Sequence, residues 1–225
     1  MHSVSTDMNH DDNSHIALFP SAAIKSSESF FVENNQALKG VRRPKPFCGN
    51  VVPRKTGFYH LAGHPVYEYK FGGEIWKSEP ASKECEEVAE IARNVLDETS
   101  FVPPEGFALN TMVAQVYDGE KGAIAWHADD EKSMKRLMGA EGEMEVGPIV
   151  SVSFGASCKF SLRPIEAERN EVGKGRKRRK TEKMLLQDGD VLVMKQGLQE
   201  RYHHGIQKGD VSKGTRICLT FRAQM

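Results

Sequence analysis

Short segments rich in β-branched and aromatic residues, separated by turn residues, constrain this fold more than any other feature. The sequence predicts one amphipathic helix at about 80–97 and five strands, at 108–117, 149–155, 159–163, 190–195 and 215–222. One helix followed by many short strands is typical of a β-sandwich or barrel with a helical layer. We therefore expect a mainly β chain with flanking helices.

Composition and charge bound the organisation of the chain. The 31 basic and 31 acidic side chains among 225 residues cancel, so net charge does not indicate a partner. Residues 1–45 are rich in Ser, Asn, Asp and His, so we interpret them as a disordered tail whose apolar patches at 16–19 and 30–32 dock on a domain at 46–225.

No apolar run reaches the roughly 20 residues that span a bilayer, so no membrane partner is expected. The polar, acidic start does not resemble a secretory signal. Four scattered cysteines without a CxxC pair indicate a reducing compartment.

A basic run interrupts the strand pattern. Six cations occupy the seven residues 174–180, inside a loop at about 165–183 between two predicted strands. A loop of that length is usually functional or disordered. This composition fits a solvated insertion, a phosphate-contacting loop, a nuclear-import signal, or a loop with both of the last two roles. An import signal predicts location in the nucleus, with presence in the cytoplasm also allowed.

A short motif offers ligands for a metal. His127 and Asp129 are two residues apart, and in an extended strand such residues point to the same face. An imidazole and a carboxylate on one face, joined by a distant histidine, form the 2-His-1-carboxylate triad that binds Fe(II) and leaves positions open. His203 and His204 are candidates for that third ligand. A structural histidine in the core is the alternative for His127 alone.

The predicted final strand carries two arginines on one face. Arg216 and Arg222 are six residues apart, so alternation along a strand points both the same way. A solvated outer face would explain them. A pair of guanidiniums facing a dianionic ligand would also explain them, because Arg forms bidentate bonds with carboxylates.

Together these motifs resemble the AlkB family of Fe(II)/2-oxoglutarate-dependent dioxygenases, closest to its eukaryotic DNA-repair branch. The resemblance runs from about residue 46 to 222 and is carried by VPRK at 52–55, YKF at 69–71, WHADDE at 126–131, SVSFGA at 151–156, HGI at 204–206 and LTFR at 219–222. It implies a double-stranded β-helix, or jelly-roll, core, which agrees with the strand pattern.

The resemblance assigns residues to the iron and its cosubstrate. It implies that Fe(II) is bound by His127, Asp129 and His204, with His204 preferred to His203 because the family motif continues with Gly-Ile after the ligand. It implies that 2-oxoglutarate is bound by Arg216 at its far carboxylate, by Arg222 at its near end, and by Tyr117 and Gln115. At the position of Gln115 the family usually has Asn, so the side-chain amide in this sequence lies one methylene further from the main chain.

The resemblance also implies a nucleobase site. The base would lie between the lid aromatics Tyr69 and Phe71, with Glu131 beside it and Arg54 in the nucleotide-recognition region. Phe47 is a candidate wedge that fills the gap left by a flipped base.

The implied activity is oxidative demethylation of N-alkylated bases such as 1-methyladenine and 3-methylcytosine. 2-Oxoglutarate and O₂ would give succinate and CO₂, and the methyl group would leave as formaldehyde. A monomeric enzyme acting on DNA is expected, and an RNA-directed member, including the viral type, is the alternative. A protein or small-molecule hydroxylase of the same superfamily and a nucleic-acid-binding module with a vestigial iron site are further alternatives.

Overall fold

The computed structural model describes residues 15–31, 37–45, 51–71, 73–165 and 180–225, without the Phe71 side chain. The described strands are β1 (Ile16–Phe19), β2 (Lys55–His60), β3 (Glu68–Phe71), β4 (Glu74–Lys77), β5 (Glu79–Pro80), β6 (Thr111–Asp118), β7 (Ile124–His127), β8 (Arg136–Met138), β9 (Met144–Val146), β10 (Ile149–Gly155), β11 (Cys158–Pro164), β12 (Glu182–Leu186), β13 (Val191–Met194), β14 (Tyr202–Ile206) and β15 (Thr215–Arg222). The described α-helices are α1 (Ile24–Ser27), α2 (Lys83–Asp97) and α3 (Leu198–Arg201).

Strand pairing confirms the predicted jelly roll. One described sheet has the order β1-β13-β10-β15-β6-β2-β5, and the facing sheet has the order β12-β11-β14-β7. Taken in chain order, the first core strand pairs with the last, the second with the second-to-last, and so on inward. The pairs are β6 with β15, β7 with β14, β10 with β13, and β11 with β12, all antiparallel. This nested pairing is that of a double-stranded β-helix.

Alternation along β15 separates the core from the interior of the barrel. Ile217, Leu219 and Phe221 belong to a buried cluster that includes the apolar face of α2. The residues between them face the other way and line a cavity inside the barrel, as described below. The predicted shared face of 216, 218, 220 and 222 is therefore confirmed.

The helix forms where its periodicity predicts, with a later start. Ser82 caps α2 by accepting a hydrogen bond from the Cys85 N–H at 3.2 Å. Because this cap fixes the first turn, the helix begins at Lys83 rather than near residue 80. Its buried face, which covers the larger sheet, consists of Cys85, Val88, Ala89, Ala92, Val95 and Leu96.

The N-terminal apolar patches pack on the larger sheet, as predicted, where the structure describes them. β1 extends the larger sheet by pairing with β13, with Ile16 opposite Met194. Phe30 stacks on Phe154 of β10, with ring centroids 4.9 Å apart. A four-residue edge strand is too short to show a period in the sequence, so this pairing could not be predicted from alternation. Residues 1–14 lie outside the described residues.

Several smaller elements complete the site and its surroundings. Strands β3 and β4 form a hairpin, as do β8 and β9, and neither was predicted from strand periodicity.

No helix among the described residues is long and apolar enough to cross a membrane. Phe47 and residues 174–179 of the basic run lie outside the described residues.

Candidate metal centre and substrate cavity

The barrel brings the three predicted metal ligands together at one end of the smaller sheet. Candidate ligand atoms of His127, Asp129 and His204 all lie within 4.8 Å of one another. His127 ends β7 and is the register partner of His204 on β14, and their rings lie 4.3 Å apart. His203 is not part of this group, because neighbouring residues of a strand point to opposite faces.

Asp129 reaches the group by a different route from the predicted one. β7 ends at His127, so the two residues do not share a strand face. Arg222 Nη2 lies 2.9 Å from Asp129 Oδ1, and the Asp129 N–H donates to Gln199 Oε1 at 2.9 Å. The carboxylate is thus oriented by side chains from β15 and α3 rather than by strand alternation.

Burial and charge keep the group in the protonation state that a metal requires. Burial, assisted by the nearby His127, lowers the pKa of His204 to about 3, so its imidazole is neutral at physiological pH. Burial alone would raise the pKa of Asp129, but the adjacent Arg222 guanidinium outweighs that effect and holds it below its ordinary value. His127 Nδ1 lies 2.8 Å from the Ala125 carbonyl, which can only accept, so Nδ1 carries the proton. Its Nε2 lone pair is then available to a metal.

Arg216 is a buried cation that has no carboxylate partner in the part of the chain that the structure describes. Its side chain is fully enclosed at 1 % exposure, and it donates to Ser153 Oγ at 2.8 Å. Among the described residues it has no carboxylate partner within ion-pair distance, and its Nε has no hydrogen-bond partner. An uncompensated buried charge is costly, so this position suits an anionic ligand.

A narrow inner cavity of about 40 Å³ connects Arg216 with the three metal-ligand candidates. Gln115 and Tyr117 of β6 also line it. The Tyr117 hydroxyl donates to Gln115 Oε1 at 2.6 Å, so the longer amide side chain meets the tyrosine directly. The structure thus brings all four predicted cosubstrate residues to this interior, while their contacts with 2-oxoglutarate stay predictions.

A larger cavity of about 630 Å³ opens beside the same group. That volume is within the usual range for small-molecule sites. The two spaces meet at His127 and Asp129, two of the three metal-ligand candidates. Six residues line both cavities: Gln115, Ile124, His127, Asp129, Ile206 and Arg222. A ligand in the larger cavity would therefore share part of its surroundings, including His127, Asp129 and Arg222, with a ligand bound in the inner cavity.

The described candidates for substrate binding line the larger cavity. Tyr69 packs against Phe58 in the cluster beneath the hairpin, and burial raises its pKa. Glu131 Oε1 lies 3.4 Å from Arg222 Nη1. Arg54 is buried and donates to the Ala123 carbonyl at 3.3 Å. Phe47 and the Phe71 side chain lie outside the described residues, so their predicted roles stay predictions.

The donor set fits a 2-His-1-carboxylate Fe(II) site, and Arg216, which has no carboxylate partner among the described residues, fits a dicarboxylate cosubstrate. The family model of the 2OG-Fe(II) oxygenase superfamily matches residues 16–222. The chain belongs to this superfamily. The predicted cofactors, Fe(II) with 2-oxoglutarate and O₂ as cosubstrates, follow from that membership, as does the predicted dioxygenase class.

Relatives of this 2OG-Fe(II) oxygenase confirm the resemblance to the AlkB family. The chain is 34 % identical over 142 residues to the DNA oxidative demethylase ALKBH2 of Arabidopsis thaliana, covering 58 % of this chain and 42 % of that protein. It is 31 % identical over 120 residues to the alpha-ketoglutarate-dependent dioxygenase alkB homolog 3 of Homo sapiens, covering 52 % and 37 % respectively. The chain thus spans about two-fifths of the length of these relatives.

A solved structure supports the fold of this oxygenase. The structure of OsALKBH1 matches with a TM-score of 0.59 and 15 % sequence identity, covering 92 % of this chain and 97 % of that one. At that identity the likeness shows the jelly-roll fold alone.

One residue of the site was missed by sequence reasoning. Gln199 is 2 % exposed and contacts the main chain of a metal-ligand candidate. A glutamine in a four-residue helix follows no hydrophobic period and belongs to none of the motifs that carried the resemblance. Only its position five residues before His204 could have drawn attention to it.

Proposed function

We propose that this oxygenase is an oxidative demethylase of N-alkylated bases in nucleic acid, with DNA preferred to RNA. The observation that carries the proposal is the 630 Å³ cavity, which places a base-sized space next to the metal-ligand candidates. The name of the Arabidopsis relative, a DNA oxidative demethylase, supports both the reaction and DNA as its substrate.

The two cavities would hold different reactants, the cosubstrate in the inner cavity and the base in the larger one. His127, Asp129 and His204 would hold Fe(II), and Arg216 would hold the far carboxylate of 2-oxoglutarate in the inner cavity. When bound, the iron and 2-oxoglutarate supply the oxidation of an N-methyl carbon with O₂, which gives succinate, CO₂ and a hydroxymethyl group that leaves as formaldehyde.

The larger cavity would orient the base. Tyr69 on its wall offers an aromatic face for stacking, and Glu131 offers a carboxylate that can accept hydrogen bonds from an exocyclic amine or bind a cationic methylated base. Arg54, Lys70 and Lys208 also line this cavity, so cations are available for the phosphates of a nucleic-acid strand. A methylated base in a duplex must leave the stack to enter such a cavity.

The proposed cellular setting follows from the same activity. A monomeric enzyme that repairs DNA would act in the nucleus, and the basic run at 174–180 has the composition of a nuclear-import signal. An RNA-directed enzyme would share the same iron site and cavity, so substrate comparison is needed to distinguish them.

The test is a substrate panel with formaldehyde release as the readout. Oligonucleotides carrying 1-methyladenine or 3-methylcytosine are supplied as duplex DNA, single-stranded DNA and RNA, with Fe(II) and 2-oxoglutarate. We expect demethylation of both lesions, with a higher kcat/KM on DNA. Faster turnover of RNA would replace the DNA assignment, and no formaldehyde from any member of the panel would contradict the proposed function.

A further inference from the structure

We propose that Gln199 is a positioning residue that fixes the main chain of Asp129 and thereby sets the metal affinity of the site. The inference depends on the metal site and is independent of which nucleic acid the enzyme oxidises.

Asp129 needs an anchor because it lies beyond the end of a strand. β7 ends at His127, and residues 128–130 belong to no strand or helix. The ladder that fixes His127 and His204 across β7 and β14 therefore does not reach Asp129. A ligand without ladder hydrogen bonds must be held by other contacts if the three ligands are to keep one geometry.

Gln199 supplies a buried contact of this kind. Its Oε1 accepts from the Asp129 N–H at 2.9 Å, and its Nε2 lies 3.7 Å from Met194 Sδ. Gln199 is 2 % exposed and lies on α3, which leads directly into the strand that carries His204. The side chain thus ties the main chain of one ligand to the element that positions another.

Glu200, the next residue of α3, contacts the loop at 128–130 only indirectly, through Arg136. Glu200 Oε1 lies 3.0 Å from Arg136 Nη1, and Arg136 Nη2 donates to the Asp130 carbonyl at 3.1 Å. The two charged side chains are 33 % and 29 % exposed, so solvent weakens this ion pair. The Gln199 contact is therefore the buried one of the two and is expected to dominate.

A neutral amide is suited to this role. It orients Asp129 without adding charge beside the three metal-ligand candidates, whereas a buried carboxylate or ammonium would change their electrostatics. Removing the acceptor leaves the Asp129 N–H buried and unpaired, which favours a shift of the ligand loop. Loss of such supporting hydrogen bonds around a metal typically weakens metal affinity about 10- to 100-fold.

The experiment measures Mn²⁺ binding by electron paramagnetic resonance, without nucleic acid. Gln199→Met removes the amide acceptor at similar length, and Gln199→Leu is the second variant if the first does not fold. Gln196→Met is the matched control, because Gln196 Nε2 donates to the Met138 carbonyl and Glu145 rather than to the ligand loop. The visible spectrum of the Co²⁺ form reports ligand geometry, which a general loss of stability would leave unchanged.

We expect Gln199→Met to bind Mn²⁺ about 10- to 100-fold more weakly and to alter the Co²⁺ spectrum, with Gln196→Met unchanged in both. Wild-type affinity and spectrum in a folded Gln199 variant would overturn the proposal, as would an equal loss in the Gln196 control. A wild-type chain that does not bind Mn²⁺ would refute the metal site itself and this proposal with it. Mn²⁺ binding without demethylation would leave this proposal standing and refute only the proposed substrate.

Discussion

Two adjacent histidines, His203 and His204, lie on opposite faces of β14, so we expect them to differ in role. His204 meets His127 across the strand pair, whereas His203 lies opposite Arg163. We predict that His204→Ala abolishes Mn²⁺ binding, because one of three ligands is lost, while His203→Ala retains most of it. Titration of each variant with Mn²⁺ measures this difference. If His203→Ala alone abolished binding, the ligand assignment would have to be exchanged.

Arg216 is the residue proposed to bind the far carboxylate of 2-oxoglutarate. Arg216→Ala removes the buried guanidinium proposed to bind 2-oxoglutarate, and loss of one member of a desolvated charge pair costs about 2–5 kcal/mol. The KM for 2-oxoglutarate should rise roughly 30- to 4000-fold. Succinate release at varied 2-oxoglutarate measures it, with Arg163→Ala as the control because Arg163 stacks on Trp126 at 4.2 Å and lines neither the inner nor the larger cavity. An unchanged KM would remove Arg216 from the site.

Residue spacing predicted the site where strands set the geometry. Alternation placed Arg216 and Arg222 on one face of β15 because that strand is regular and fully paired. The same rule correctly predicted that Asp129 lies beside His127, but not why, because the two residues do not share a strand face. The position of Asp129 depends on Arg222 and Gln199, which come from distant segments. Contacts between segments far apart in the chain leave no local pattern in the sequence.

At the scale of elements, the β3–β4 hairpin connects the cavity to the larger sheet. Tyr69 pairs with Trp76 across the hairpin and lines the cavity. Tyr69→Ala should lower kcat/KM on a methylated oligonucleotide by about 5- to 150-fold, because a base–aromatic stack is worth about 1–3 kcal/mol. Decarboxylation of 2-oxoglutarate without nucleic acid should be retained.

The control for this prediction lies on the same hairpin. Ile75 is 57 % exposed and does not line the larger cavity, so Ile75→Ala should leave both activities unchanged. If Tyr69→Ala instead lowered thermal stability and both activities to the same extent, Tyr69 would be a core residue without a role in base binding.

Long, regular elements were predictable and short ones were not. The strands at 149–155 and 215–222 match β10 and β15, because seven or eight alternating residues suffice to show a period. The three-residue strands β8 and β9 and the four-residue β1 show none, and they are defined only by pairing: β8 with β9 in a short hairpin, and β1 with the distant β13. For this reason the fold class was clear while the edges of the domain were not.

At the scale of the whole molecule, the cations of 174–180 bear on the choice of substrate. Neutralising Lys177, Arg178, Arg179 and Lys180 together should remove up to four phosphate contacts. The slope of log K against log salt would then flatten by up to about 0.9 per contact on duplex DNA. Binding measured from low to high salt tests this, and short single strands should be less affected. An unchanged slope together with loss of nuclear entry would make the run an import signal only.

The proposed function requires one site to couple oxidation of 2-oxoglutarate to removal of a methyl group from a base. The most direct measurement uses single-stranded DNA with a ¹³C-labelled methyl group on 3-methylcytosine, followed by quantification of labelled formaldehyde and succinate. We predict equal amounts of labelled formaldehyde and restored cytosine, succinate in at least that amount, and none of these products with Asp129→Ala. Succinate release by the wild-type enzyme that the methylated DNA does not stimulate, with no labelled formaldehyde, would contradict the account.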